Sequence, residues 1–168
     1  MKPNTYLVLL LFSVLALYGC RQQVVEEPSP LKLRCEYQQN PQGLHTLSPR
    51  FSWQLNSQAR GAAQSAYQVL VASTPELLAR NEGNLWNSGK VNSDSSVLVA
   101  YRGNQLQSGQ RYFWKVRTWN QADSPSKYSE TGQFSMGLLK GFKEWEASWI
   151  GNNATGAPPR SIMVRKEF

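Results

Sequence analysis

Apolar and polar positions alternate with a period of two through the middle of the chain. In FSWQL (51–55), Phe51, Trp53 and Leu55 share one face; in AYQVLVA (66–72), Tyr67, Val69 and Val71 do. SSVLVAY (95–101) repeats the pattern with Val97, Val99 and Tyr101. RYFWKVRTWN (111–120) turns Tyr112, Trp114 and Val116 inward and Phe113, Lys115 and Arg117 outward. Such alternation predicts antiparallel strands with one face on a core and one in water. Clusters of Gly, Asn, Asp, Ser and Pro interrupt it at Arg60-Gly61, 81–84, 92–94, 102–104 and 123–125, the spacing of a sandwich. One segment breaks the period. TPELLAR (74–80) reads as a short helical turn, with Thr74 as its N-cap and Pro75 in the first helical position. The predicted fold class is all-β.

The two ends of the chain differ from this middle. Lys2 precedes YLVLLLFSVLALY (6–18), an apolar run shorter than the roughly 20 residues that a spanning helix needs. It has the form of the apolar region of a signal peptide. It closes on Leu17-Tyr18-Gly19-Cys20, which resembles a bacterial lipobox, so lipidation of Cys20 is expected, with a plain secretory leader as the alternative. Acyl chains on Cys20 would make the membrane a partner and place the protein at the bacterial cell envelope, on the outer membrane or cell surface. RQQVVEEPSP (21–30) is polar and closes on two prolines, the composition of a tether.

With the leader removed, 17 basic face 11 acidic residues, a balance of +6 against +7 for the whole chain. The cations are dispersed rather than striped, so nucleic acid is not an expected partner. Cys35 is the only other cysteine; with Cys20 lipidated no internal disulfide is available, and a Cys20–Cys35 bridge is the alternative. Packing must then hold the domain. Of the chain's six Trp, seven Tyr and six Phe, all but Tyr6, Phe12 and Tyr18 lie beyond the leader and are available for it, each worth about 1.5–3 kcal/mol when buried.

Leu106 and Gly109 lead into Tyr112, with Trp114 and Val116 at alternating positions after it. This is similar to the fibronectin type III pattern, in which the tyrosine forms a corner with backbone upstream. Ser108 stands where that pattern usually has proline. The stretches LRCEY (33–37), SPRFSW (48–53), QSAYQVLVA (64–72), LWNSGKV (85–91), YFWKVRTW (112–119), FSMGLL (134–139) and WEASWIG (145–151), in this order, resemble the N-terminal region of bacterial α-L-rhamnosidases. Those are large multidomain glycoside hydrolases. The resemblance implies a lipoprotein signal over 1–19, a tether over 20–30 and a fibronectin type III or immunoglobulin-like β-sandwich over 31–137. Residues 138–168 would then be a linker and the truncated start of a second sandwich, with a strand beginning near Ser161. It also implies downstream domains, among them a helical catalytic barrel, as missing partners, and rhamnose-containing glycans as the parent enzyme's substrate. The resemblance implies an inverting parent enzyme, and this chain alone is expected to be inactive.

No catalytic residue is assigned. Glycoside hydrolysis needs two carboxyls about 5–5.5 Å or about 6.5–9.5 Å apart, and the acids here are scattered. Glu144 and Glu146 come nearest to a pair, in a linker where charges are expected to be solvated. His45, the single histidine, lies in a loop with no nucleophile motif beside it. Cys35 has no partner at CxxC spacing, so a metal is not expected, and the lack of a GxGxxG or Walker-type loop gives no expectation of a cofactor. Trp86, Trp119, Tyr128, Trp145 and Trp149 fall outside the clearest alternating positions. Of these, Trp119, Tyr128, Trp145 and Trp149 are candidates for contact with a glycan or a neighbouring domain. A free-standing surface lipoprotein that binds glycan or protein through its sandwich is the alternative function.

Overall fold

The computed structural model describes residues 29–57 and 60–146. Cys20, Trp149 and the strand expected near Ser161 lie outside them. The chain builds β1 (Ser29–Cys35), β2 (Arg50–Asn56), β3 (Gln64–Ala72), helix α1 (Pro75–Ala79), β4 (Trp86–Asn87), β5 (Val91–Asn92), β6 (Val99–Ala100), β7 (Arg111–Asn120) and β8 (Gly132–Ser135). A short 3-10 turn, Gly141–Glu144, follows. Ser29 and Pro30, read above as the end of the tether, already belong to β1.

Two antiparallel sheets face each other. One runs β1-β2-β6; the other runs β4-β3-β7-β8, with β5 also pairing β3. The long β3–β7 ladder, from Gln64↔Asn120 to Ala72↔Phe113, is the spine of the larger sheet. Between the sheets lie the predicted inward residues: Phe51 and Trp53 from β2, Val69 and Val71 from β3, and Tyr112, Trp114 and Val116 from β7. Phe51 is the hub, its ring centroid 4.3 Å from that of Trp114 and 5.7 Å from that of Phe134. Close packing also dictates small residues. A Cβ on Gly132 would lie 2.7 Å from Trp114 Nε1, so only glycine lets β8 pass that indole.

Polar groups in the core are tied to partners. Trp53 Nε1 donates to Gln64 Oε1 at 2.9 Å, and the buried Gln64 amide donates to the carbonyls of Ser93 and Ser95 at 3.0 and 2.9 Å. The Tyr112 ring is buried and its hydroxyl accepts from the Gln107 amide at 2.8 Å, which is the expected tyrosine corner. Gly109 makes the turn between them with φ +70°, a backbone state that costs glycine little.

Two expectations need correcting. The strand read over 95–101 shrinks to Val99–Ala100. Leu98 is left-handed at φ 55°, held by its amide donating to Ser52 Oγ at 2.9 Å, while the Trp53 amide reaches back to Ser96 O. That kink throws Val97 outward, 60% exposed, although Val99 and Tyr101 are buried as expected. The second correction concerns the outer face of the larger sheet, expected to be solvated. α1 and Tyr128 fold over it, and Leu70, Ala72 and Leu78 form a second small core with Phe113 and Tyr128 packed on it. α1 itself forms as read, with Thr74 accepting from the Leu77 amide and Pro75 at the start.

Candidate functional site

Two regions carry chemistry beyond simple packing. The first is the upper part of that outer face. Gln68 on β3 sits opposite Arg117 on β7, so their side chains meet on the same side of the sheet. Gln68 Oε1 accepts from Arg117 Nε at 2.8 Å and from the Tyr128 hydroxyl at 3.1 Å, and Gln68 Nε2 donates to Asn87 Oδ1 at 2.7 Å. This holds the Arg117 guanidinium between two rings, 4.8 Å from the Trp119 centroid and 4.9 Å from that of Tyr128. Lys90 lies 5.2 Å from Trp119 and Lys115 lies 4.5 Å from Tyr128, completing an alternating stack of cations and rings. Lys90 also pairs with Asp123.

Lys115 is the residue that sequence reasoning missed. Only 7% exposed, it donates to the Leu78 carbonyl at the end of α1 and to Asn81 Oδ1 at 2.7 Å. Burial pushes its ammonium below the ordinary lysine value. An outward lysine in an alternating strand looks solvated from sequence, and only the docking of α1 makes it otherwise. The same stack settles where two predicted contact residues stand. Trp119, left outside the core in the sequence reading, is 8% exposed. Tyr128 is half-buried under Lys115 and Arg117.

The second region is the end of the sandwich from which the chain leaves β8. Ser108 Oγ donates to the Glu144 carboxylate and accepts from the Leu139 amide at 3.0 Å. The Lys140 amide donates to the same carboxylate oxygen at 3.2 Å, with Lys140 Nζ 3.7 Å from its neighbour. Gly137 N donates to Leu44 O at 2.8 Å. Glu144 was expected to be solvated and is instead the centre of a clasp; the Ser108 hydroxyl first, then the Lys140 amide and charge, hold its carboxyl below the ordinary carboxylate range. Glu146 is exposed and takes no part in it. Trp145 follows directly, 53% exposed. Trp86, by contrast, packs on the core, its centroid 5.4 Å from that of Tyr101.

The remaining chemical candidates are dispersed. His45 is exposed in its loop. Cys35 is buried, and burial first, with Glu36 beside it, pushes its thiol up to about 12, far from a reactive thiolate. Glu36, Glu82, Asp123 and Glu144 are each paired with a cation: Arg50, Arg80, Lys90 and Lys140. Among the described residues no three His, Cys, Asp or Glu side chains gather in a metal-binding group.

The sandwich as a whole corresponds to a known domain family. The family described as "Rha78A-like, N-terminal immunoglobulin domain" matches residues 30–140. The chain belongs to this family. As a Rha78A-like N-terminal immunoglobulin domain it resembles an α-L-rhamnosidase of Alteromonas sp. (strain LOR), 37% identical over 170 residues, covering 98% of this chain and 18% of that protein. An α-L-rhamnosidase of Streptomyces avermitilis is 46% identical over 125 residues, 73% of this chain and 12% of that protein. Among solved structures, the α-L-rhamnosidase from Dictyoglumus thermophilum superposes with a TM-score of 0.71 at 38% identity, covering 77% of this chain and 15% of that one. The S. avermitilis α-L-rhamnosidase complexed with L-rhamnose gives 0.70 at 43% identity, covering 74% and 12%. The chain thus spans less than a fifth of the length of the curated relatives it matches.

Proposed function

We propose that this chain is the non-catalytic N-terminal module of a lipid-anchored α-L-rhamnosidase, a glycoside hydrolase of rhamnose-containing glycans. It contributes anchoring through Cys20, spacing through the residues that follow, and a packing surface for the next domain. One observation carries the reading: residues 30–140 match an N-terminal immunoglobulin domain, and the proteins that align with them are α-L-rhamnosidases. The disposition of the acids is in keeping with it, because four of the carboxylates sit beside cations of their own rather than facing another acid across a cleft. Chemistry then belongs to downstream domains, on an inverting route. Trp145 and Trp149 serve interdomain packing. Trp119 and Tyr128 serve the domain's own outer face, where cations stack on their rings.

Anchoring is tested by growing producing cells with an alkyne-bearing palmitate. The unaltered chain takes up the label and sediments with the envelope, and Cys20→Ala does neither. An unlabelled chain recovered from the soluble fraction with Cys20 as a free thiol contradicts the anchor.

A further inference from the structure

A cleft of about 510 Å³ opens between β6, at the end of one sheet, and β4 and β5, at the edge of the other. That size falls within the range of small-molecule sites, roughly 300–1,000 Å³. Two aromatic residues line it, and both are fixed from behind. Trp86 lies 5.4 Å from Tyr101 and 6.3 Å from Phe51 between ring centroids, and Tyr67 meets Trp53 edge-on at 5.3 Å. The loop that brings Arg102 to the cleft can lie against Trp86 because its next residue is Gly103, where a Cβ would stand 2.5 Å from that of Trp86. The polar ends of these residues are left over by the fold. Trp53, Tyr101, Tyr112 and Tyr128 all bond through their polar ring groups within the domain. Among the described residues the Trp86 indole N–H, the Tyr67 hydroxyl and the Arg102 guanidinium have no hydrogen-bond partner. No buried side-chain polar atom goes unpaired there, so the first two reach solvent. Ser93 Oγ accepts from the Ser95 amide at 3.1 Å and has its own proton still to give. Val91, Leu98 and Val99 make the rest of the lining apolar, with Leu98 kept in a left-handed backbone state that leucine seldom adopts. No carboxylate lines the cleft.

We infer that the cleft binds one neutral 6-deoxyhexose ring, L-rhamnose, of the glycan on which the parent enzyme acts. Such a ring carries hydroxyls that both accept and donate, and a methyl group in place of one of them. The Trp86 N–H, the Arg102 guanidinium and the Ser93 hydroxyl donate to its oxygens, and the Tyr67 hydroxyl accepts from one. The methyl group rests on Val91 and Leu98. With no carboxylate in the lining, a cationic ligand has nothing to pair with and no acid–base couple can form, so the cleft holds a sugar without cleaving it. A glycan held there stays beside the parent enzyme between cleavages. The choice of sugar rests on the function proposed above; the cleft and its unspent polar groups do not.

The test uses the 168-residue chain with Cys20→Ser and follows its tryptophan indole N–H signals by proton–nitrogen NMR as L-rhamnose is added. One ring in a preformed cleft is expected to bind with a Kd on the order of 1 mM. The Trp86 signal moves, and that of Trp119 on the outer face does not. L-Mannose, which differs only by a hydroxyl on the methyl carbon, binds several-fold more weakly. Tyr67→Phe keeps the ring on Trp53, and Arg102→Gln alters an exposed residue; together they weaken binding about tenfold at unchanged Tm. Leu47→Ser, exposed and outside the cleft, leaves the affinity as it was. A Trp86 signal that stays still at about ten times that sugar concentration overturns the inference. So does binding that the double variant retains in full, or that L-mannose matches. Movement of the Trp119 signal instead puts the sugar on the outer face and overturns it too. Each of these failures leaves the family reading standing, whereas loss of Cys20 labelling or turnover by the isolated chain strikes the proposed function and not the cleft.

Discussion

Glu36 accepts from the Arg50 amide at 2.7 Å while its two carboxylate oxygens meet Arg50 Nε and Nη2, at 3.0 and 2.7 Å. These bonds, the guanidinium first, hold the Glu36 carboxyl below its ordinary value of 4.5. A carboxyl depressed by folding contributes stability that is complete above the ordinary value and is lost as pH falls through the folded one. Glu36→Gln is therefore expected to lower Tm by roughly 3–8 °C at neutral pH, with the gap to the unaltered chain closing in acid. A gap that stays constant from pH 7 to pH 3 refutes the ionic account. This pair was not legible in the sequence. The residues are 14 apart, and they meet because the antiparallel β1–β2 ladder, with Cys35 opposite Phe51, carries on to set Glu36 beside Arg50, the Glu36 amide donating to Arg50 O at 2.9 Å. The Tyr112 corner, by contrast, was legible. Its partner amide is five residues away, and its geometry is set by one local turn at Gly109.

Strands whose burial is decided by their own alternation were readable, and those whose burial is decided by a neighbour were not. β2 and β7 present the inner faces that their period predicts. The strand read over 95–101 failed at Leu98, since hydrophobic alternation carries no sign of a left-handed residue held by a serine 46 residues away in sequence. The outer face of β3 and β7 read as solvated because Gln68, Lys115 and Arg117 are polar, yet α1 and Tyr128 cover it. Lys115 is the bolt between α1 and that sheet. Lys115→Met keeps the apolar stem and leaves the Leu78 carbonyl and Asn81 without their donor, so unfolding free energy is expected to fall by about 1–3 kcal/mol. Amide exchange in α1 should speed up more than in the β3–β7 ladder. Unchanged protection of α1 would show that apolar contacts through Leu78 alone hold it.

For the molecule as a whole, packing does what disulfides do in many domains of this size. Phe51, Trp53, Tyr112, Trp114 and Phe134 form one aromatic core between two sheets, and Cys35 is buried in it as a free thiol. The sheets, the core and the family were legible from strand period and from the order of the quoted stretches. The exit clasp was not, because Ser108 and Glu144 gain meaning only when the chain after β8 folds back on the turn before β7. A domain so built offers an immunoglobulin-like scaffold in which four carboxylates pair with cations, and the proposed function places catalysis outside it. The most direct measurement is hydrolysis of p-nitrophenyl α-L-rhamnopyranoside by the purified 168-residue chain, with cooperative thermal unfolding recorded on the same sample. A folded chain that releases p-nitrophenol no faster than buffer is the predicted result; turnover that follows the folded chain through purification would contradict the account.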